Sequence, residues 1–350
     1  MNKRTALLTL EDGHVFEGFS FGWEGATAGE VVFNTGMVGY PESLTDPSYC
    51  GQILVLTYPL IGNYGVPEFL PESPAFESDR IQIRGLVVAD YSTESEHWNR
   101  KQSLAEWLKA FQIPAITGID TRTLTQILRE EGTMLGKITF DTDIDYFDPN
   151  HQHVVAKVSC TEPRLYGKGA KRIAFLDCGC KRSIIRHLSQ CNIEIMRLPW
   201  NADLSQHDFS GLVISNGPGD PQMCTTTIES ARYAIKNNIP TLGICLGNQI
   251  LALAAGAKTY KLKFGHRGLN QPVKNHENER CYITSQNHGF AVDDSNLPKE
   301  FQIWFSNLND HTNEGLKHKS GRFMGVQFHP EVSPGPMDTT FIFDHFLELL

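Results

Sequence analysis

The chain has 350 residues, enough for two domains that each bury a core. It carries 31 Lys and Arg against 40 Asp and Glu, a net charge of −9. That balance argues against a nucleic-acid groove, which needs a basic patch, and leaves room for a small anionic substrate. No apolar stretch approaches the ~20 residues needed to span a bilayer, and residues 1–14 lack the apolar run of a signal peptide. The eight cysteines contain no Cys-x-x-Cys pair, so a reduced cytoplasmic protein is expected, with no membrane or nucleic-acid partner and mostly inert thiols.

Residues 1–140 read as a mixed α+β domain. Strands are expected at 5–10 and 14–19, joined by the hairpin signal Asp12-Gly13, and again at 31–33, 53–56 and 86–89. Helices are expected at 103–111 and 121–131. The second has Leu124, Ile127 and Leu128 on one face, and Gly132 just past its end. Residues 141–171 have weak periodicity and read as a connection. His151 and His153 there have metal-like spacing but no third ligand nearby, so solvated histidines are expected and no metal.

From residue 172 to 350 the pattern changes to strand–helix alternation. Strands are expected at 173–176, 193–198, 211–215 and 240–244, with helices at 182–190, 226–237 and 246–255. This predicts an α/β domain with a mainly parallel sheet flanked by helices, whose ligands sit at the carboxyl ends of the strands.

One cysteine has special flanks. Gly243-Ile244-Cys245-Leu246-Gly247 joins an expected strand to an expected helix. This is a Gly-x-Cys-x-Gly elbow, in which a tight turn strains the nucleophile and leaves no room for bulk beside it. The helix that follows aims its N-terminus at the sulfur and favours the reactive thiolate.

A cysteine that attacks an amide needs a base, and histidine suits the task. His329 ends an expected strand in Gln327-Phe328-His329-Pro330-Glu331. In extended backbone, His329 and Glu331 project to the same side, so Glu331 can orient the ring. A third segment, Asn216-Gly217-Pro218-Gly219, follows a buried strand. Its backbone N–H groups, with that of Leu246, are candidates for an oxyanion hole.

These three motifs, in this order and spacing, resemble the class I (triad) glutamine amidotransferases over residues 172–350. The resemblance implies Cys245, His329 and Glu331 as the catalytic triad. It implies L-glutamine as substrate, held by Gly217, Gly219, Leu246, Gln249, Asn287, Gly289 and Phe290, the last three within Ser285-Gln286-Asn287-His288-Gly289-Phe290. The first half carries Phe33-Asn34-Thr35-Gly36-Met37-Val38-Gly39-Tyr40, Leu56-Thr57-Tyr58-Pro59 and Gly118-Ile119-Asp120-Thr121-Arg122. These, with Lys263-Phe264-Gly265-His266-Arg267-Gly268, resemble the small-chain family of carbamoyl-phosphate synthases. By that likeness Ser48 reaches the glutamine site from the N-terminal domain.

The resemblance also implies a partner, a large chain that carries ATP and Mg2+ and receives ammonia in a heterodimer or a higher oligomer of heterodimers. The product would serve arginine or pyrimidine biosynthesis. No cofactor is implied on this chain, which lacks a Gly-x-x-x-x-Gly-Lys-[Ser/Thr] loop. A glutaminase for another acceptor (anthranilate or GMP synthesis) and a catalytically silent regulatory subunit remain as alternatives. Three positions depart from the family pattern: Asn248 stands where His is usual, Ser183 where Asn is common, and Pro41 where Gln is common.

Overall fold

The computed structural model describes residues 4–70 and 73–350. The chain divides into two compact units, Met1–Gln152 and His153–Leu350. Among the described residues, no helix is long and apolar enough to cross a membrane.

The first unit contains β1 (Thr5–Leu10), β2 (Val15–Ser20), β3 (Thr27–Asn34), α1 (Tyr40–Thr45), β4 (Gln52–Ile61), β5 (Gly85–Tyr91), α2 (Leu104–Ala110), β6 (Ala115–Thr117), α3 (Thr121–Glu131) and β7 (Met134–Thr139). Its strands close into a barrel in the order β1-β2-β6-β5-β4-β3-β7. The β1–β2 hairpin turns at Gly13, whose φ of 95° suits glycine. Ser103 and Glu106 form a reciprocal capping box at the start of α2. Leu124 and Leu128 of α3 are buried, and Ile127 is half-buried. Closure of the barrel was not legible locally, because it depends on β7 pairing with both β1 and β3.

The second unit holds α4 (Val155–Val158), β8 (Arg164–Gly167), β9 (Lys171–Asp177), α5 (Arg182–Ser189), β10 (Ile193–Pro199), β11 (Gly211–Ile214), α6 (Thr225–Lys236), β12 (Thr241–Ile244), α7 (Leu246–Ala255), β13 (Lys258–Asn275), β14 (Cys281–Asp293), β15 (Phe301–Asn307), β16 (Asn313–His318), β17 (Phe323–Val326) and α8 (Phe341–Leu347). They build a ten-stranded sheet in the order β14-β13-β15-β16-β17-β12-β11-β9-β10-β8. The stretch β17-β12-β11-β9-β10 is parallel, as the strand–helix alternation predicts. Antiparallel strands extend both edges, so the sheet as a whole is mixed.

Alternation along the central strands builds two cores. Ile173, Phe175 and Val213 turn to one face and pack with Ile184 and Leu188 of α5 and with Ile342, Phe343 and Phe346 of α8. Ala174, Leu176, Leu212 and Ile214 turn to the other face, against Ile228 and Ala231 of α6 and Leu246 and Ile250 of α7.

Residues 141–171, expected as a connection, divide between the units. The part from residue 153 onward includes β8, which pairs with β10. His153, expected to be solvated, instead packs against Trp200 with ring centroids 4.2 Å apart.

Candidate active site

Register brings the motifs together. In the pairing of β12 with β17, Ile244 lies opposite Val326, and the Cys245 N–H donates to the Val326 carbonyl at 2.8 Å. The chain leaving β12 at Cys245 therefore runs beside the chain leaving β17 toward His329. The His329 N–H donates to the Ser285 carbonyl at 2.9 Å, which ties this segment to β14.

Cys245 caps α7 with φ 54° and ψ −104°, a strained conformation for a residue with a side chain. Close packing explains its flanks. A Cβ on Gly243 would lie 2.3 Å from the Gly247 carbonyl oxygen, and one on Gly247 would lie 2.1 Å from that of Ile214. Neither position tolerates alanine without moving backbone. The sulfur is buried, 3.6 Å from the Asn287 carbonyl oxygen and 3.6 Å from Gln327 Nε2.

His329 is buried, and its Nδ1 lies 2.7 Å from Glu331 Oε1. Its Nε2 is buried without a hydrogen-bond partner among the described residues. Burial pulls the imidazole down. The Glu331 charge, with help from Cys245, outweighs burial and raises the ring to about 10, while Lys181 opposes the rise. Burial pushes the Glu331 carboxyl up, but Lys181 and then His329 hold it well below the usual carboxylate range. An imidazolium thus stands beside Cys245 at neutral pH, oriented by a charged carboxylate.

Lys181 was not singled out from sequence. It is buried, and its Nζ lies 2.8 Å from Glu331 Oε1. The turn between β9 and α5 delivers it. Asp177 Oδ1 accepts from the N–H groups of Gly179 and Cys180, and the Lys181 N–H donates to Asn216 Oδ1 at 3.0 Å. Arg197 anchors Asp177 at 2.7 Å. A lysine in a strand-to-helix turn looks solvent-bound in sequence, because its carboxylate partner lies 150 residues away.

The Asn216–Gly219 loop meets the same corner. A Cβ on Gly217 would lie 2.1 Å from the Cys178 carbonyl oxygen and 2.8 Å from Leu246 Cδ2, so only glycine fits. Gly219 has φ +86°, in the region that favours glycine. Leu246 opens α7, where the first N–H groups lack intrahelical partners. Its side chain is buried in the core, which leaves the backbone as its contribution to a site.

Gln249 is buried, and its Nε2 donates to the Phe290 carbonyl at 2.6 Å and to Gln327 Oε1 at 3.0 Å. Phe290 is thereby held against α7, and the Asn287 carbonyl lies 3.6 Å from the Cys245 sulfur. Gly289 lies between them, with Arg267 close by: a Cβ would lie 3.2 Å from its Nη2. Ser48 belongs to the first unit, where it is buried and its N–H donates to Asp46 Oδ1 at 2.9 Å. Gln327 is the second residue that the sequence reading passed over. The same period-two argument that paired His329 with Glu331 also puts Gln327 on that side.

Asn248 is fully buried, and neither its amide nitrogen nor its oxygen has a hydrogen-bond partner among the described residues. It packs on Gly325, where an added Cβ would lie 2.4 Å from its Oδ1.

His266, His288 and Glu314 are compact enough to consider as metal ligands, their ligand atoms lying within 4.8 Å of one another. Their polar atoms are already engaged. His266 pairs with Glu314 at 3.2 Å and Asp310 at 2.8 Å, and His288 with the Phe290 carbonyl at 2.8 Å and Gln286 at 3.0 Å. Burial lowers His266, but bonds to Asp310 and Glu314 raise it to about 9. Burial holds His288 well below its ordinary value. A charged hydrogen-bond network accounts for this cluster.

A strained buried cysteine at a strand-to-helix elbow, with an oriented imidazole beside it, is an arrangement suited to nucleophilic attack by the sulfur. The family model for glutamine amidotransferase class-I matches residues 174–349, and the chain belongs to that family. Residues 8–138 match the carbamoyl-phosphate synthase small chain, CPSase domain. Among similar proteins, carbamoyl-phosphate synthase (ammonia), mitochondrial, of Homo sapiens is 46% identical, over 99% of this chain and 24% of that protein. Multifunctional protein CAD of Squalus acanthias is 49% identical over 98% of this chain and 16% of its own length. Multifunctional protein URA2 of Saccharomyces cerevisiae is 46% identical over 99% and 17%. The chain therefore spans a quarter or less of the length of these relatives.

Proposed function

We propose that this chain hydrolyses L-glutamine and supplies the ammonia to an ATP-dependent carbamoyl-phosphate synthase chain. The observation that carries the reading is the meeting of Cys245, at the strained elbow, with His329 held by Glu331. The Cys245 thiolate attacks the side-chain amide carbon and forms a tetrahedral adduct. Backbone N–H groups of Leu246 and Gly219 take the developing oxyanion. The His329 imidazolium protonates the leaving nitrogen, and ammonia departs from a thioester. The neutral ring then takes a proton from water, hydroxide attacks the thioester, and glutamate leaves. Glu331 remains ionised throughout and stabilises the imidazolium.

The match of residues 8–138 to the small-chain domain supports carbamoyl-phosphate synthesis as the destination of the ammonia. The printed name of the human relative supports carbamoyl-phosphate synthesis too, and by the resemblance the product serves pyrimidine or arginine formation. The partner is a large synthase chain that holds ATP and Mg2+, in a heterodimer. Ser48, Asn287, Gly289 and Phe290 are proposed glutamine ligands, Ser48 on the resemblance alone.

The test is glutamate release from glutamine by wild type and Cys245→Ala, then carbamoyl-phosphate formation with the large chain present. Glutamate release by wild type and none by the variant is expected, with the variant complex still using free ammonia. Equal glutamate release by the two would end the nucleophile assignment. Glutamine-dependent amination of another acceptor, with no carbamoyl phosphate formed, would end the assignment of destination.

A further inference from the structure

Gln327 follows β17 and is fully buried. Its side chain bridges two residues of the candidate site. Gln249 Nε2 donates to its Oε1 at 3.0 Å, and its own Nε2 donates to the Cys245 sulfur at 3.6 Å. Chemistry fixes which end points where. Gln249 Nε2 also lies 2.6 Å from the Phe290 carbonyl oxygen, which can only accept, so the nitrogen end of Gln249 must face it. The second hydrogen of that nitrogen is left for Gln327, whose oxygen receives it. The Gln327 NH2 is then turned toward the sulfur.

The sulfur has another neighbour of opposite character, the Asn287 carbonyl oxygen at 3.6 Å. A thiol can give its hydrogen to Asn287 and still accept from Gln327. A thiolate has nothing to give. The Asn287 oxygen then repels it, and Gln327 remains as a side-chain donor to the sulfur. A hydrogen bond made to the charged form favours that form.

We infer that Gln327 is a positioning residue that orients the Cys245 sulfur, favours its thiolate, and couples it through Gln249 to the Phe290 backbone. Its kinetic consequence rests on the glutaminase reading. Its effect on the sulfur does not, because it follows from these contacts alone. The Phe290 carbonyl, the Gln249 amide, the Gln327 amide and the sulfur form one continuous chain. Movement of the Phe290 segment as glutamine binds would reach the nucleophile along it.

The experiment is iodoacetamide labelling of the full chain without glutamine, with the Cys245 peptide followed by mass spectrometry from pH 5 to pH 10. Gln327→Met removes the donor at similar size, and Gln327→Glu keeps the acceptor toward Gln249 but presents an oxygen to the sulfur. Loss of one such bond is expected to shift the Cys245 labelling profile in Gln327→Met, read as a ~10-fold slower rate near neutrality. Gln327→Glu moves it further. Gln249→Leu, which leaves Gln327 in place but frees its oxygen, gives a smaller shift in the same direction and serves if the Gln327 variants do not melt cooperatively. In glutaminase assays, kcat falls about as much as the labelling rate while KM changes less. Unmoved labelling profiles in folded variants overturn the inference, even if wild type releases glutamate. Shifted profiles in a protein that releases no glutamate sustain it and overturn the glutaminase reading instead.

Discussion

Lys181 Nζ lies 2.8 Å from Glu331 Oε1, the same oxygen that holds the His329 ring at 2.7 Å. Two cations thus share one buried acceptor, and Lys181 moderates the pull of Glu331 on the imidazole. Lys181→Met leaves the carboxylate with His329 alone. Breaking a buried pair costs about 3–5 kcal/mol when the remaining charge is uncompensated, so a loss at or below the bottom of that range, about 2–3 kcal/mol, is expected with His329 still present. The imidazole rises further without Lys181. The basic limb of the glutaminase profile, where the acid is lost, should move to higher pH. Urea unfolding and a pH–rate profile of this variant measure both effects. An unmoved limb would show that Lys181 does not act on His329.

The His266 network makes a prediction about stability and pH. His266 is raised to about 9, above the 6.5 of an unfolded chain, by bonds to Asp310 and Glu314 that outweigh burial. The protonated form is therefore the stabilised one. Its contribution is fully present below pH 6.5 and is lost as pH rises through 9. The melting temperature should fall across that interval, and less steeply in His266→Gln. His329 is raised in the same direction but to about 10, so part of the slope remains in the variant. Parallel slopes for the two proteins would refute the assignment to His266.

Legibility from sequence followed how local each feature was. The elbow needs only Gly243, Cys245 and Gly247 between a strand and a helix, and all three lie within five residues. His329 and Glu331 share a side by period two, so their contact at 2.7 Å was readable once the strand was placed. The central parallel strands were equally open, because β9, β11 and β12 carry short apolar runs and β10 alternates apolar with polar residues. Barrel closure was not, since β1 pairs with β7 across most of the first unit. The long β13–β14 hairpin was also obscure, as its register shifts at two places. Lys181 and Gln327 act through partners that only folding brings near.

The glycines of the elbow should be intolerant for a reason that charge and chemistry do not enter. A Cβ on Gly247 meets the Ile214 carbonyl oxygen at 2.1 Å, and backbone cannot yield as a side chain can. Gly247→Ala should cost roughly 2–4 kcal/mol, above the ordinary 1–3 for overpacking, because a strand must shift. Gly256→Ala is the control. It has positive φ but nothing within 4 Å of an added Cβ, so only backbone strain of about 1 kcal/mol is expected. Denaturant midpoints of the two variants compare them directly. Equal losses would mean that the close approach at Gly247 is relieved cheaply.

Asn248 is the departure from the family pattern that lies next to the elbow, and its environment decides how it acts. Its amide is fully buried with neither polar atom hydrogen-bonded among the described residues, against Gly325. Its side-chain amide makes no hydrogen bond to Cys245 or His329 among the described residues, and the Asn248 backbone N–H donates to the Cys245 carbonyl at 3.1 Å, so the side chain acts on Cys245 through packing. Truncation pits two effects against each other. Asn248→Ala opens a small cavity worth about 1 kcal/mol, on the scale of one or two lost methylene groups. It also removes an unsatisfied buried amide, whose desolvation costs about 1–3 kcal/mol. The second effect is the larger, so the variant should melt at the same temperature or a few degrees higher. Glutaminase kcat should stay within about threefold, the change expected when a packing contact beside Cys245 is altered by less than 1 kcal/mol. A large loss of stability would mean that the amide is satisfied in solution. A large loss of kcat in a fully stable variant would mean that it polarises the elbow.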